Sequence, residues 1–154
     1  MERSSRLIAM ELREAAAGSP EYRELLALRF DELRRPLGLT WTAGEMKADE
    51  GDRHFGLHDG LAWLGTVVAC DLGGGVVKLR QIAVISGRQG EGLGRRLMAL
   101  VEECLQAEGA REFQLHARLS VAGFYEATGY RPVGEVFEEI ALPHVKMRKV
   151  LTGG

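Results

Sequence analysis

A glycine-rich segment in the second half of the chain constrains the fold more than any other feature. Residues 89–94 read Gln-Gly-Glu-Gly-Leu-Gly, and they stand between the apolar run 82–85 and a stretch with helical periodicity. Glycine allows positive φ and lets a ligand approach the main chain closely. A helix that begins there offers unpaired N–H groups and the positive end of its dipole, which together bind phosphate. The segment therefore predicts a strand, loop and helix whose loop holds a pyrophosphate.

The spacing of the glycines separates this loop from two familiar nucleotide-binding loops. A dinucleotide-binding fold requires Gly-x-Gly-x-x-Gly after the first strand, whereas Gly90, Gly92 and Gly94 alternate and lie late in the chain. A nucleotide P-loop requires Gly-Lys-Ser/Thr, but Gly94 is followed by Arg95. A plain glycine turn without a ligand stays open as the alternative.

Arginines flank the loop at positions where a helix dipole disfavours them. Arg88 precedes the glycines, and Arg95 and Arg96 fall in the first helical turn, beside the positive end of the dipole. A bound anion would resolve that conflict through charge-assisted hydrogen bonds. Solvated side chains are the alternative. We therefore predict that Arg88 and Arg95 contact phosphate.

Periodicity and turn residues predict an α/β domain. Strands are predicted at 7–12, 54–58, 61–71, 76–85, 113–117, 130–133, 135–141 and 145–150. Helices are predicted from Pro20 to near Arg35, from Leu93 to Gly109, and from a Ser120 cap to Thr128. This order predicts a mixed, largely antiparallel sheet flanked by helices, in a single domain that spans 1–154.

Three segments of the chain resemble the GNAT family of N-acetyltransferases. Residues 89–94 match the family's coenzyme A signature, Gln/Arg-x-x-Gly-x-Gly/Ala, at each position. Residues 124–130, Phe-Tyr-Glu-Ala-Thr-Gly-Tyr, resemble its Phe-Tyr-x-x-x-Gly-Phe/Tyr segment. Residues 134–147 are similar to the C-terminal end of the ElaA-like branch. The resemblance implies the acyl-CoA N-acyltransferase fold and acetyl-CoA as co-substrate.

The resemblance also implies which residues bind acetyl-CoA. In this family the strand before the glycine loop separates from the next strand and leaves a slot for pantetheine. Main-chain groups of Ile82, Ala83 and Val84 would then contact pantetheine, although an ordinary core strand is the alternative. The Val84 N–H would face the thioester carbonyl, where a backbone donor can contribute about 3–4 kcal/mol to acyl transfer. The remaining implied ligands are Arg88, Gln89, Gly90, Glu91, Gly92, Leu93, Gly94, Arg95 and Arg118, the last where the family often carries Asn.

Tyr125 is the general acid that the resemblance implies. When an amine attacks the thioester, the departing coenzyme A thiolate must gain a proton. A phenol with a pKa of about 10 is suited to an alkyl thiol of about 8.5. The alternative is a core aromatic residue that packs beside Phe124.

The sequence leaves the general base and the acceptor open. Lys78 stands where histone-modifying members carry a glutamate base, and Glu135, His116 and His144 stay as candidates. A histidine taken alone is more often structural. Four carboxylates within 41–52 would attract a cationic amine, with a solvated acidic loop as the alternative.

Composition excludes several classes of protein. A formal net charge of −2 gives no basic field for nucleic acid. No apolar run reaches the length of a membrane span and no signal core is present, so a cytoplasmic location is expected. Two cysteines are too few for a disulfide framework or a thiolate metal site, and we expect no metal.

The expected function is transfer of acetyl from acetyl-CoA to a primary amine of a small molecule, by direct attack in a ternary complex. Two other functions stay open: a non-catalytic acyl-CoA sensor, and a structural or partner-binding domain with an empty glycine loop. By analogy with the family a homodimer is expected.

Overall fold

In the part of the chain that the structure describes, the strands form one sheet of seven members. The structure, a computed structural model, describes residues 10–39, 51–88 and 90–151. The strands are β1 (Glu11–Ala15), β2 (Arg53–His58), β3 (Trp63–Gly73), β4 (Val76–Val84), β5 (Glu112–Arg118), β6 (Arg131–Glu139) and β7 (Leu142–Val150). Their order is β1-β2-β3-β4-β5-β7-β6, and only β4 and β5 run parallel. The predicted α/β fold with a largely antiparallel sheet is confirmed.

In the described ranges three α-helices accompany the sheet: α1 (Pro20–Arg29), α2 (Leu93–Ala107) and α3 (Ala122–Ala127). The Ser19 hydroxyl caps α1 by accepting the Tyr22 N–H at 3.1 Å, as the sequence predicted. Beyond Arg29 the chain stays helical but changes type, with a π-helical segment at Phe30–Arg34 and a 3₁₀ turn at Arg35–Leu37. The prediction of one regular helix to Arg35 is therefore right in extent and wrong in type. Among the described residues, no helix is both long and apolar enough to cross a membrane.

The two faces of the sheet are covered by different helices. Successive strand residues point to opposite faces. Phe113, Leu115 and Ala117 of β5 join the main core, in which Leu97 and Val101 of α2 are fully buried. A smaller cluster, with Tyr22 and Leu25 of α1, covers the other face near β1 and β3. Side chains that alternate with the main-core residues of β5 therefore lie on the α1 side of the sheet.

The last strand begins at Leu142, three residues before its predicted start, and two other predicted strands differ more from the structure. The first strand, predicted at 7–12, runs over Glu11–Ala15, and residues 1–9 lie outside the described part of the chain. Its charged residues hid the strand, because an edge strand held by pairing with β2 needs few apolar side chains. The strands predicted at 130–133 and 135–141 are one strand, β6. Gly134 (φ 83°) lies in an irregular part of its ladder, which an edge strand tolerates.

The predicted cap of α3 is also wrong. Ser120 lies inside a 3₁₀ turn at Leu119–Val121, and Val121 occupies the N-cap position without a side-chain hydrogen bond. The chain therefore turns from β5 into α3 through a tight turn rather than through a serine cap. The helix itself ends at Ala127, one residue before the predicted end.

Candidate active site

A slot opens between β4 and β5 on the side of the glycine loop. The parallel ladder between these strands ends at the pair of Lys78 and Gln114. β4 nevertheless continues to Val84 and β5 to Arg118, and β5 keeps its pairing with β7 over its whole length. Main-chain groups on the two facing edges therefore have no strand partner across the slot, although such groups require hydrogen bonds.

A β-bulge in β4 lies where the slot begins. Thr66 pairs with Ala83 and Val68 pairs with Arg80, so β4 carries one more residue than β3 between these pairs. Gln81 has a φ of 54°, in the left-handed region that few residues other than glycine adopt. A bulge bends its strand and increases the local twist. This bend accounts for the separation of β4 from β5.

The residues predicted to contact pantetheine follow the bulge directly. Ile82, Ala83 and Val84 form the β4 edge of the slot, and on their other side they are held by β3 through the pairs of Ala83 with Thr66 and Val84 with Gly65. The strand is therefore fixed on one edge and open on the other. Their contacts with a ligand stay a prediction.

The glycine loop ends in an uncapped helix. Gly90 and Gly92 have φ values of 87° and 73°, and a Cβ at either position would meet nothing within 4 Å. Gly92 is the N-cap residue of α2, and its carbonyl accepts the Arg96 N–H at 3.0 Å. No side chain of the described residues caps the three N–H groups that precede this bond, and the first turn contains no acidic residue. The unpaired N–H groups and the dipole of such a helix N-terminus are suited to bind an anion.

Arg88 is held by carboxylates beside the loop. Its Nε and Nη2 donate to the Glu91 carboxylate at 2.7 to 3.1 Å, and its Nη1 lies 3.9 Å from a carboxylate oxygen of Asp59. The hydrogen bond with Glu91 raises the pKa of Arg88 above its ordinary value. Arg88 would therefore have to leave or share Glu91 to bind phosphate. Gln89, the first residue of the signature, lies outside the described residues.

The two other predicted arginines differ in environment. Arg95 is exposed in the first turn of α2, near the unpaired N–H groups. Arg118 is the half-buried last residue of β5, opposite His144 of β7, on the far wall of the slot. Arg95 therefore lies beside the loop, whereas Arg118 lies at the end of the predicted pantetheine slot.

Tyr125 is buried in α3, with 8% of its surface exposed. Burial raises the pKa of its hydroxyl to about 12. Its ring meets the rings of Phe124 and Tyr130 edge to face at centroid distances of 5.1 and 5.9 Å. Its carbonyl accepts the N–H groups of Thr128 and Tyr130, both at 3.0 Å. α3 also lies close to the first turn of α2: a Cβ at Gly94 would be 3.3 Å from the Phe124 ring.

A buried ionic network lies under Tyr125. The Tyr130 hydroxyl and the Lys149 ammonium each donate to the Glu102 carboxylate at 2.7 Å, and Lys149 also donates to the Thr128 carbonyl at 2.9 Å. Burial, and after it the Glu102 carboxylate, raise the pKa of Tyr130 far above its ordinary value. The network joins α2, β7 and the end of α3, so it fixes the backbone that carries Tyr125.

The candidate bases lie in two different places. Glu135 is exposed in the irregular part of β6. His116 and His144 instead lie close together around the Glu139 carboxylate, with the Phe137 ring against both imidazoles. The sequence named each histidine alone and missed Glu139. Only the antiparallel pairing of β6 with β7 brings this carboxylate to them.

The residues present fit coenzyme A. Its extended pantetheine arm matches a slot with open main-chain edges, and its diphosphate matches an uncapped helix behind two left-handed glycines. Within 10–39, 51–88 and 90–151, no group of three or more His, Cys, Asp or Glu side chains could hold a metal ion.

Comparison with known proteins agrees with this geometry. The family profile described as "Acetyltransferase (GNAT) domain" matches residues 42–151. A presumptive acetyltransferase of Bacillus subtilis (strain 168) is 36% identical over 72 residues, 47% of this chain and 49% of its own length. The ElaA protein of Escherichia coli (strain K12) is 31% identical over 74 residues, 47% of this chain and 48% of its own length. The chain thus aligns with about half the length of these relatives.

Solved structures extend the likeness to the whole fold. Escherichia coli ElaA superposes with a TM-score of 0.77 at 21% identity, over 91% of this chain and 99% of that one. An aminoglycoside 6'-N-acetyltransferase complexed with coenzyme A superposes with a TM-score of 0.74 at 18% identity, over 94% and 98%. The matched family profile covers more than half of the sequence. The chain belongs to the GNAT acetyltransferase family.

Proposed function

We propose that this protein transfers acetyl from acetyl-CoA to a primary amine of a small molecule. The single observation that carries the proposal is the separation of β4 from β5 beside the N-terminus of α2, which follows the glycine loop and has no side-chain cap among the described residues. Together the two features offer hydrogen bonds to a long amide-containing arm and to a diphosphate. Family membership supports the acetyl group as the one transferred.

The start of α2 and the open edge of β4 supply the main ligands in this proposal. The N–H groups at the start of α2 bind the diphosphate, and Arg95 adds positive charge beside them. Ile82, Ala83 and Val84 offer main-chain groups to pantetheine along the open edge of β4. The Val84 N–H would stabilise negative charge on the thioester oxygen, a contribution of about 3–4 kcal/mol for a well-placed donor.

Tyr125 is the proposed general acid for the departing thiolate. Burial raises the pKa of Tyr125 to about 12, so the hydroxyl carries its proton at every pH at which the protein would work. The same shift weakens the phenol as an acid. Tyr125 would therefore protonate the sulfur late, when the C–S bond is largely broken and the sulfur is most basic.

The proposed acceptor is a small amine, attacked directly in a ternary complex. The aminoglycoside 6'-N-acetyltransferase that this fold resembles makes an amino sugar one class to test. Of the acidic segment 41–52, residues 41–50 lie outside the described part of the chain. Asp52, at the end of this segment, makes an ion pair with Arg80 at 2.5 Å.

That the protein forms a homodimer and that it lies in the cytoplasm both stay predictions.

Two measurements test the proposal and separate it from the alternatives. With acetyl-CoA at a hundredfold excess over Kd, the free energy of unfolding should rise by about 2.7 kcal/mol. No stabilisation at millimolar acetyl-CoA would leave only the structural or partner-binding alternative. Release of free thiol should then depend on an amine, and the variant Tyr125→Phe should slow it. Binding without release of thiol for any amine would identify a sensor instead.

A further inference from the structure

His116, Glu139 and His144 form a side-chain cluster that the predicted ligands do not include. His116 lies on β5, Glu139 on β6 and His144 on β7. One carboxylate oxygen of Glu139 is 2.9 Å from His116 Nδ1, and the other is 3.8 Å from His144 Nε2. The Phe137 ring lies edge to face with His116 at 4.9 Å and stacks on His144 at 6.1 Å. The His116 ring is therefore held on two sides.

These contacts determine which nitrogen of each neutral imidazole carries the proton. A carboxylate accepts hydrogen bonds and does not donate them, so Nδ1 of neutral His116 carries the proton that faces Glu139. Nε2 of His116 then has a lone pair and can accept a proton. His144 Nδ1 faces the Leu142 carbonyl at 2.9 Å, so that nitrogen also carries its proton. His144 is 5% exposed, whereas a quarter of the His116 side chain (26%) reaches solvent.

His116 is also on the wall of the proposed thioester slot. It stands two residues before Arg118, in the part of β5 that follows the last pair with β4, Lys78 with Gln114. Its neighbours Leu115 and Ala117 point into the main core beneath α2. The imidazole therefore lies on the other face of the sheet, away from the helix whose start is proposed to bind the diphosphate.

We propose that His116 is the general base of the reaction and that Glu139 is its positioning residue; this rests on the proposed function. The amine nitrogen attacks the thioester carbon, and a C–N bond forms while the C–S bond breaks. The sulfur leaves with the electron pair and takes the Tyr125 proton. The nitrogen loses its proton to His116 Nε2, directly or through one water, and solvent then returns both residues to their starting states.

The titratable and charged groups that face His116 are Glu139, Lys146, which pairs with it in the ladder, Arg118 on the same face, and His144 across from Arg118. The carboxylate of Glu139 can only accept a hydrogen bond, so it selects the tautomer of His116 with the proton on Nδ1. In Glu139→Gln the side chain can donate as well as accept. Imidazole ¹⁵N spectra of this variant should therefore show that His116 is no longer held in that one tautomer, which a merely structural role would not cause.

The experiment combines a tautomer measurement with kinetics. Imidazole ¹⁵N spectra of the free protein should show His116 protonated on Nδ1. Thiol release from acetyl-CoA is then followed against pH with spermidine, tryptamine and kanamycin as amines. We expect His116→Gln to release thiol about 100-fold more slowly than the wild type and to lose the limb of the pH–rate profile that His116 causes. Added imidazole should restore part of the rate of His116→Ala. Gln114→Ala, two residues earlier on the same face, is the control that should keep the wild-type profile.

Each contrary result has its own meaning. A His116 protonated on Nε2 would overturn the proposal, because that nitrogen could not accept a proton. A folded His116→Gln variant that binds acetyl-CoA and keeps the wild-type rate and pH limb would overturn it as well, and would leave the acetyltransferase function intact. Failure of the wild type to release thiol with any of the amines, despite binding acetyl-CoA, would overturn both proposals together.

Discussion

The ionic network under Tyr125 provides the most quantitative prediction of stability. Glu102 is buried on α2 and receives hydrogen bonds from the Tyr130 hydroxyl and the Lys149 ammonium, both at 2.7 Å. The substitution Lys149→Met keeps the length of the side chain and removes its charge. Glu102 would then be a buried anion with the Tyr130 hydroxyl as its donor.

The size of the effect follows from burial. Breaking a buried pair from one side typically costs about 3–5 kcal/mol, because the remaining charge is uncompensated. Glu102 has 10% of its side chain exposed and Lys149 has 26%, so solvent screens part of this cost. We therefore expect Lys149→Met to lower the free energy of unfolding by about 2–3 kcal/mol, which corresponds to a fall in Tm of about 4–12 °C.

Urea denaturation at pH 7 measures this effect, with the double variant Glu102→Met/Lys149→Met as the matched control. Removing both charges should recover at least half of the lost stability, since no buried charge is left unpaired. A single variant within about 0.5 kcal/mol of the wild type would show that Lys149 does not compensate a buried charge on Glu102.

Three further predictions concern packing, titration and a surface ion pair. Gly123→Ala should raise the free energy of unfolding by about 0.5–1 kcal/mol, since the added Cβ enters open space. Gly94→Ala should gain nothing, because its Cβ would lie 3.3 Å from Phe124, and equal gains in urea denaturation would contradict this packing. Burial raises the pKa of Tyr125 to about 12 from its usual 10, so the free energy of unfolding should fall by about 3 kcal/mol as the pH rises from 10 through 12. Tyr125→Phe should remove this alkaline loss from denaturation curves, and an unchanged loss would assign it to other groups. Arg53→Met should cost less than about 1 kcal/mol, because the side chain is 39% exposed despite its two carboxylate partners; a loss above 2 kcal/mol would show that the pairs are not screened.

Features coded by neighbouring residues could be predicted from the sequence. The left-handed glycines of the loop, the start of α2 at Leu93 and the Ser19 cap each depend on a few adjacent residues. The antiparallel hairpin of β2 and β3 likewise follows from apolar residues on both sides of an Asp59-Gly60 turn. Local signals therefore specified the loop and the elements beside it.

Features that depend on pairing between distant residues could not be predicted. The bulge at Gln81 depends on the register of β4 against β3, and nothing in the composition of the strand marks it. Likewise, Glu139 comes 23 positions after His116 along the chain and reaches it only because β7 lies between β5 and β6. The change of helix type after Arg29 also lacks a sequence marker. The slot and the candidate base therefore required the structure.

The most direct test of the central claim is a titration of the ¹⁵N-labelled protein with coenzyme A, followed through its backbone amides. We expect the largest shifts on the amides of Gly90, Gly92 and Leu93 and of the open edge of β4 at Val84. Desulfo-coenzyme A should produce the same shifts in the loop, because it keeps the diphosphate. Shifts confined to other parts of the sheet, or no shifts at millimolar ligand, would show that the glycine loop and the open edge of β4 do not bind coenzyme A.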